Sequence, residues 1–157
     1  MNKIPMTASG YDQLQKELKK LINEDRPNII AAIAEARSHG DLSENAEYQY
    51  AKEQQSLIEG KIQELEAASG LAEIIDVSQL SGDEIKFGAT VEIKDDDNDK
   101  KSSYQIVGEY ESDIENKRLS INSPLARGLI GKSKDDSVEI NSPKGIKSYT
   151  ILSVQFI

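Results

Sequence analysis

The chain has 157 residues, of which 37% are hydrophobic and 5% aromatic, and it contains no Trp and no Cys. This length gives one ordinary domain or two small ones, and so few aromatic residues argue against a single large core. The net charge of −9 disfavours stand-alone nucleic-acid binding, which draws most of its affinity from clustered Lys and Arg. The lack of cysteine excludes disulfides, Cys-ligated zinc and thiol nucleophiles.

No segment approaches the roughly 18 consecutive apolar residues that span a bilayer, and the N-terminus lacks the apolar stretch of a signal peptide. We therefore expect a soluble, cytoplasmic protein with no membrane partner. For so acidic a chain, a protein partner with a basic surface is the better expectation.

The N-terminal half has the apolar spacing of a long helix. Between residues 14 and 36, apolar residues recur every three or four positions, apart from one gap. Thr7 is a suitable N-cap for this helix, and Gly40 is suited to its end. Pro27 removes a backbone donor inside the helix, which predicts a kink at 23–26. We expect no chain reversal there, because the apolar stripe resumes directly.

A second apolar stripe predicts a second helix of similar length. Its members are Ala46, Tyr50, Leu57, Ile58, Ile62, Leu65, Ala72 and Ile75. Each helix would have about 30 residues and a length of about 45 Å. The short joint between them, near 40–43, requires an antiparallel arrangement. Residues 1–76 are therefore predicted to form an antiparallel coiled-coil hairpin.

Beyond Asp76 the apolar period changes to two, which predicts β-strands. The predicted strands are 90–94, 104–107, 118–121, 137–140 and 149–156. Polar runs at 95–99 and 143–145 predict connections between them. Ser123 before Pro124 predicts the start of a short helix that Gly131 stops. With 77–86 as a linker, the predicted fold class is α+β: a helical hairpin plus a small antiparallel sheet domain with one helix, residues 87–157.

Two carboxylates mark the predicted end of the hairpin. Asp41 and Glu44 are three residues apart at the predicted start of the second helix, so their side chains can project together. One interpretation is a capping box, with Asp41 as N-cap and Glu44 at the third helical position. The other is half of a metal site, because Mg²⁺ often takes only one or two protein carboxylates and completes its shell with other oxygens. The spacing leaves both interpretations open.

Several stretches resemble one known family. The segments 26–27, 30–37, 40–48 (GDLSENAEY) and 53–55 resemble the hairpin of the Gre transcription elongation factors. The segments 87–91 (FGATV) and 121–132 (INSPLARGLIGK) resemble the second, FKBP-like domain of that family. The resemblance spans essentially the whole chain in collinear order. Length and acidic balance favour the GreA branch over the GreB branch.

This resemblance implies a mechanism. A Gre factor inserts its hairpin into the secondary channel of a backtracked bacterial RNA polymerase, where the RNA 3′ end extrudes, and stimulates the polymerase's own cleavage of that RNA. Asp41 and Glu44 match the acidic pair of the family, which implies that they hold Mg²⁺ jointly with the polymerase and help to position the attacking water. The isolated protein is then expected to bind no metal and to be an accessory factor instead of an enzyme.

Other residues match the motifs of the family. Arg37 and Lys52 resemble its small basic patch for extruded RNA, although as bare features they are ordinary surface charges. Asn45 and Tyr48 match the tip motif and could contact the polymerase or RNA, or could serve packing and capping. The segment most similar to the polymerase-docking region is Ser123, Pro124, Leu125, Ala126, Arg127 and Gly128. Cap, turn and packing requirements could also explain each of these six residues separately.

Three other functions are compatible with the pattern. An FKBP-like domain could be a prolyl isomerase, but the C-terminal half has few aromatic residues for a substrate pocket and no Trp. A homologue that enters the channel and inhibits is a second alternative, and the intact pair Asp41 and Glu44 favours activation over it. A purely structural coiled coil is the third, which the polar tip and the separate sheet domain disfavour.

Overall fold

A computed structural model of the chain describes residues 2–40 and 45–157. The described chain divides into two compact units. The helical unit comprises Asp12–Leu71, and the sheet unit comprises Asn2–Tyr11 and Ala72–Ile157. The elements in chain order are β1 (Ile4–Thr7), α1 (Ala8–Lys20), α2 (Arg26–Arg37), α3 (Ala46–Leu71), β2 (Ala72–Ile75), β3 (Thr90–Asp95), β4 (Lys101–Val107), β5 (Arg118–Ser120), α4 (Pro124–Leu129), β6 (Ser137–Ser142) and β7 (Gly145–Gln155).

The first predicted helix is present but is interrupted by a π-helical turn. Thr7 is its N-cap, as predicted, because the Thr7 Oγ1 accepts a hydrogen bond from the Gly10 N–H at 3.0 Å. Between α1 and α2, residues Leu21–Asp25 form one π-helical turn, in which the Arg26 N–H donates to the Leu21 carbonyl. Pro27 follows in the first turn of α2, where a missing N–H is tolerated. A kink was predicted at 23–26, and the feature that the structure has next to Pro27 is a π turn over Leu21–Asp25.

The two long helical segments are antiparallel, as predicted. Gln15 is hydrogen-bonded to Ser69, whereas Arg26 is paired with Glu59, so the partners run in opposite order along the chain. The Arg26 guanidinium donates two hydrogen bonds of 2.8 Å to the Glu59 carboxylate. These bonds hold the pKa of the Glu59 carboxyl below its ordinary value.

The apolar seam of the hairpin agrees only in part with the predicted stripes. Its buried members include Leu14, Leu18, Leu21, Ile33, Ala36, Ala51, Ile62, Leu65 and Ala68. Tyr50 and Leu57, which the second stripe included, are each 64% exposed. Small Ala51 lies at the seam instead, one position after Tyr50. The period of 3.6 allowed either position, and helix-to-helix packing selected the smaller residue.

The second helix is shorter than predicted. It ends at Leu71, and the assignment of Ala72 and Ile75 to it is wrong, because both lie in β2. Strand β2 pairs in parallel with β1, with Met6 opposite Ile74. An apolar run this short fits a helix or a strand equally well, so its period alone does not decide. Pairing with a distant segment of the chain decides it here.

The larger sheet has the order β5-β4-β3-β7-β6. Each of the five predicted strands is present. The expectation of a purely antiparallel sheet is wrong for one pair, because β4 and β5 are parallel. The ten-residue connection between them, which contains a short 3₁₀ turn at Ile114–Asn116, lets the chain return in the same direction. The α+β fold class, with a helical hairpin and a mixed sheet carrying one helix, is confirmed.

One face of this sheet carries the core, and α4 packs on it. The buried cluster is Ile85, Ala89, Val91, Ile93, Ile106, Leu119, Ala126, Leu129, Val138, Ile140 and Ile151. Ser123 caps α4, because its Oγ accepts a hydrogen bond from the Ala126 N–H at 3.2 Å, as the sequence predicted. Gly131 follows the helix with a φ of +88°. Helix α4 is therefore fixed by its cap and by its buried face.

Glu111 is a buried carboxylate that ties the N-terminal residues to the sheet. Its side chain is 2% exposed. It accepts hydrogen bonds from the Thr7 N–H at 2.8 Å, from the Thr7 hydroxyl, from the Gly108 N–H at 3.2 Å and from the Arg118 Nη2 at 2.7 Å. Gly10 lies against the same carboxylate, and a Cβ there would be 2.3 Å from its oxygen. Nothing in the sequence pattern marked Glu111, because Thr7 is 104 residues away in the chain and the nearer partners Gly108 and Arg118 follow no periodic pattern.

Candidate functional site

The two tip acids, Asp41 and Glu44, lie outside the described residues. The site is therefore built from the residues on each side of them. Helix α2 ends at Arg37, and the Ser38 and His39 N–H groups donate to the carbonyls of Glu35 and Ala36 at 3.0 and 3.2 Å. On the other side, description resumes at Asn45, one residue before α3.

Asn45 is the N-cap of α3. Its Oδ1 accepts a hydrogen bond from the Tyr48 N–H at 3.0 Å, and its carbonyl accepts one from the Gln49 N–H at 3.0 Å. These are the two bonds that define a capped helix start. The Asn45 Nδ2 also donates to the Ala36 carbonyl at 2.6 Å, in the last turn of α2. One half-buried amide therefore caps α3 and ties it to the end of α2.

The capping-box interpretation places Asp41 as N-cap and Glu44 at the third helical position. Both residues lie outside the described part of the chain, so this interpretation stays open. Among the described residues, Asn45 is the cap of α3, the helix begins at Ala46, and Tyr48 is at its third helical position.

The predicted basic residues flank this end of the hairpin and are exposed. The Arg37 guanidinium carbon lies 5.8 Å from the centroid of the Tyr48 ring, within the range of a cation–π contact. Lys52 is four residues after Tyr48 on α3, so the two side chains share one face of the helix. The Lys52 Nζ donates to the Gln55 Oε1 at 3.3 Å. Tyr48 is therefore a neighbour of both cations.

His39, to which the sequence assigned no role, has a partner. Its Nδ1 lies 3.0 Å from a Glu47 carboxylate oxygen. The contact joins the residues that follow α2 to the first turn of α3. The sequence offered no signal for this pair, because the two residues belong to different elements.

The predicted docking segment contains residues with clear structural tasks. Ser123 is the cap of α4, and Ala126 is fully buried. Gly128 packs closely on the core, and a Cβ there would lie 2.1 Å from the Ile140 Cδ1, so that methyl group would have to move. Leu125 is half-buried against the core. The remaining two residues of the segment, Pro124 and Arg127, are exposed.

Residues 4–74 match the family described as "Transcription elongation factor, N-terminal", and residues 80–156 match "Transcription elongation factor, GreA/GreB, C-term". The chain belongs to this GreA/GreB family. It is 61% identical over 156 residues to the "Transcription elongation factor GreA" of Beijerinckia indica, covering 99% of each chain. It is 57% identical over 157 residues to that of Mesorhizobium japonicum, covering 100% of each. The solved structure of GreA factor homolog 1 from Thermus thermophilus is 24% identical and covers 98% of this chain and 99% of its own, with a TM-score of 0.45.

The family assignment confirms the resemblance seen in the sequence. In this Gre-family chain the groups at the tip that could bind a metal are the carboxylates of Asp41 and Glu44. Carboxylate oxygens are the hard ligands that Mg²⁺ prefers, but Asp41 and Glu44 supply only two side chains. Within residues 2–40 and 45–157, no group of three or more His, Cys, Asp or Glu is placed to hold a metal. The donor set thus fits a site shared with another molecule.

No helix in the described part of the chain is long and apolar enough to cross a membrane.

Proposed function

We propose that this elongation factor rescues backtracked, arrested bacterial RNA polymerase by stimulating the polymerase's own cleavage of the nascent RNA 3′ end. The full-length match to the GreA/GreB family supports this function over a prolyl isomerase or a structural coiled coil. The observation that carries the proposed mechanism is the cap of α3. Because Asn45 caps that helix, α3 does not need a carboxylate from Asp41 or Glu44 at its start.

In this mechanism the hairpin enters the secondary channel and presents Asp41 and Glu44 to the polymerase active site. The two carboxylates would hold a Mg²⁺ ion jointly with the polymerase. Held by Asp41 and Glu44 together with the polymerase, such an ion would supply positive charge that stabilises the phosphodiester oxygens during cleavage. Asn45 bonds to both helices beside the acids, so it restrains both ends of the segment that carries them. Restrained flanks favour catalysis, because ligands must be held close to their productive geometry.

The other predicted residues receive separate tasks. Arg37 and Lys52, exposed on either side of Tyr48, would contact the extruded RNA through its phosphates. Tyr48 would hold the Arg37 guanidinium in place, and Asn45 would act by positioning. Pro124 and Arg127, the exposed residues of the docking segment, would contact the polymerase at the mouth of the channel. A factor with these tasks acts in the cytoplasm, where the bacterial polymerase works.

The test uses stalled, backtracked polymerase complexes with end-labelled RNA. We expect Asp41→Asn and Glu44→Gln each to lower stimulated cleavage by at least the roughly 10- to 100-fold that losing a residue behind a metal ligand costs, because the two acids are proposed as direct ligands. Binding to the polymerase should stay nearly unchanged, because the charge is needed at the metal and not for docking. Glu53→Gln is the matched control, since it removes an exposed acid from the same helix. It should cleave like the wild type.

Three results would contradict the proposal. If the tip variants lose binding and cleavage to the same extent, the acids serve docking or folding instead of metal binding. If the wild-type protein binds the complexes and slows the polymerase without any cleavage, the chain is an inhibitor that shares the fold. A protein that neither binds nor cleaves would favour a structural coiled coil.

A further inference from the structure

A groove on the helical unit has apolar surface that the proposed function does not use. It lies between α2 and α3 near the described end of the hairpin and has a volume of about 280 Å³. We call it the Tyr50 groove, and its lining residues are Ile29, Ala32, Glu35, Ala36, Glu47, Tyr50 and Ala51. Because small-molecule sites usually have roughly 300–1,000 Å³, this smaller groove is better suited to the side chains of a partner protein.

The groove exists because small side chains occupy the helical seam at this point. Ala36 and Ala51 are 3% and 5% exposed and lie at its floor, whereas Leu65 fills the seam farther along α3. Tyr50 stands beside this floor and is 64% exposed. Leu57, which is seven residues after Tyr50 and equally exposed, lies on the same face of α3. Aromatic side chains that flank a groove, with further apolar surface in line with them, are typical of protein–protein contacts.

The Tyr50 groove lies on the side of α3 opposite to the residues that are proposed to contact RNA. Tyr48 and Tyr50 are two residues apart, so their side chains point about 200° apart around the helix axis. Lys52 is on the Tyr48 side, and the Arg37 guanidinium contacts the Tyr48 ring. This end of the hairpin therefore has one basic side and one side that is apolar and acidic.

The charge of the groove comes from Glu35 and Glu47. None of its seven described lining residues is a Lys or Arg. One Glu47 oxygen lies 3.0 Å from the His39 Nδ1, whereas the Glu35 carboxylate forms no ion pair within residues 2–40 and 45–157. These carboxylates repel the phosphates of RNA. They also disfavour a second copy of the chain, because a two-fold dimer would place the same acidic groove against itself.

We infer that the Tyr50 groove binds a segment of the RNA polymerase that presents an apolar side chain next to a Lys or Arg. This inference rests on the proposed function, which brings the hairpin end against the polymerase. The apolar side chain packs between Tyr50 and Ile29 over the small alanines, and the cation pairs with Glu35. Tyr50 is expected to be the main contact, because exposed aromatic residues beside a pocket often carry most of the binding energy of an interface.

The first test is direct binding of the full-length factor to core polymerase without nucleic acid, so that RNA contacts contribute nothing. Tyr50→Ala should weaken this binding at least tenfold, which corresponds to about 1.4 kcal/mol. Its fold should be intact, because Tyr50 is exposed and Ala favours a helix. Ile30→Ala is the matched control, since Ile30 is 52% exposed on α2 but does not line the groove. It should bind like the wild type.

A charge reversal tests the acidic part of the groove. Glu35→Lys should weaken binding to core polymerase at low salt, and the loss should shrink as the salt concentration rises, because salt screens exposed charges. Glu17→Lys makes the same charge change at an exposed position of α1 outside the groove. It should bind like the wild type.

A photoreactive benzophenone side chain in place of Tyr50 identifies what occupies the groove. In backtracked complexes it should crosslink to a polymerase peptide that has an apolar residue next to a Lys or Arg. Crosslinks to RNA or to a second copy of the chain would overturn the inference. Binding of Tyr50→Ala or Glu35→Lys within twofold of the wild type would overturn it too, while leaving stimulated cleavage by Asp41 and Glu44 in place. A wild-type protein that does not bind the polymerase would overturn the proposed function and this inference together.

Discussion

Replacing Asn45 with Ala removes two hydrogen bonds at the described end of the hairpin. The cap to the Tyr48 N–H is worth about 1 kcal/mol, within a usual range of roughly 0.5–2. The bond to the Ala36 carbonyl is worth about 1 kcal/mol as well. The Ala36 carbonyl still accepts a hydrogen bond from the His39 N–H at 3.2 Å, so it is not left without a donor when the Asn45 amide is removed. We therefore expect a destabilisation of the hairpin of about 2 kcal/mol.

Asn45→Asp separates the two contributions. A carboxylate still accepts from the Tyr48 N–H, but it cannot donate to the Ala36 carbonyl. This variant loses the second bond, about 1 kcal/mol, and it also sets a carboxylate oxygen against the Ala36 carbonyl, so we expect a destabilisation of at least that size. Asn28→Ala is the control, because Asn28 is exposed on α2. Helix propensity predicts no destabilisation from that change.

The measurement is hydrogen exchange of the Tyr48 and Gln49 amides, combined with urea unfolding. In Asn45→Ala the Tyr48 amide loses its acceptor and should exchange faster by about 30-fold, which corresponds to 2 kcal/mol. Stimulated cleavage should fall as well, because the flanks of the acids are then less restrained. If Asn45→Ala exchanges within twofold of the wild type, or if Asn45→Asp is as stable as the wild type, the assigned bonds do not hold the hairpin end.

Three further outcomes are expected. Replacing both Arg37 and Lys52 with Ala should reduce crosslinking to the RNA 3′ segment. Its effect on cleavage should shrink as the salt concentration rises, because the electrostatic screening length is only roughly 8 Å at physiological ionic strength and shorter above it. Arg127→Glu should weaken polymerase binding at least tenfold in a direct binding assay while leaving the fold intact, because Arg127 is exposed. Gly10→Ala should lower the free energy of unfolding by about 1–3 kcal/mol in urea, because the added Cβ overlaps the Glu111 carboxylate.

Each of these variants has a contrast. Asp41→Asn should remain impaired at every salt concentration, so parallel salt curves for it and for the Arg37 and Lys52 variant would contradict their separate tasks. Lys134→Glu makes the same charge change as Arg127→Glu outside α4, and an equal loss of binding would point to net charge. Gly60→Ala adds a Cβ to α3 where no atom lies within 4 Å. It should stabilise by roughly 0.5–1 kcal/mol, and a loss would count against the packing argument.

Local periodicity was sufficient to predict the elements that bury one face. Leu14, Leu18 and Ile33 are buried in the hairpin, and Val91 and Ile93 alternate into the sheet core as a period of two requires. What local pattern could not supply was pairing between distant segments. The parallel pair of β1 and β2 joins residues near both ends of the hairpin sequence. Neither four-residue strand carries enough residues to reveal its own period.

Glu111 was not predicted, and the sequence left open which residue caps α3, with capping as one of two interpretations of Asn45. The two cases have different reasons. Glu111 looks like one more acid in a polar loop, and only its partners Thr7 and Arg118, which are distant or non-periodic in the sequence, show that it is buried. At the hairpin end, the residues at 41, 43 and 45 are all of types that cap helices well. Local preference cannot choose among them. The hydrogen bond from Asn45 to the Ala36 carbonyl selects the third, and it exists only once the two helices are side by side.

Because the cap of α3 is a neutral Asn, substitutions at this end of the protein can change cleavage without changing the stability of the helix start. An Asp at the cap would interact favourably with the positive end of the α3 dipole. Its carboxylate oxygens would then accept hydrogen bonds from the helix N–H groups and would be less available to a metal ion. Asn45 meets the same N–H requirement with a neutral amide and adds a donor that a carboxylate lacks. The fold therefore makes no demand for negative charge at its described cap. Under the proposed function, the negative charge of Asp41 and Glu44 then serves a metal shared with the polymerase and not the helix start. Neutralising either acid is for this reason expected to reduce cleavage without reducing docking.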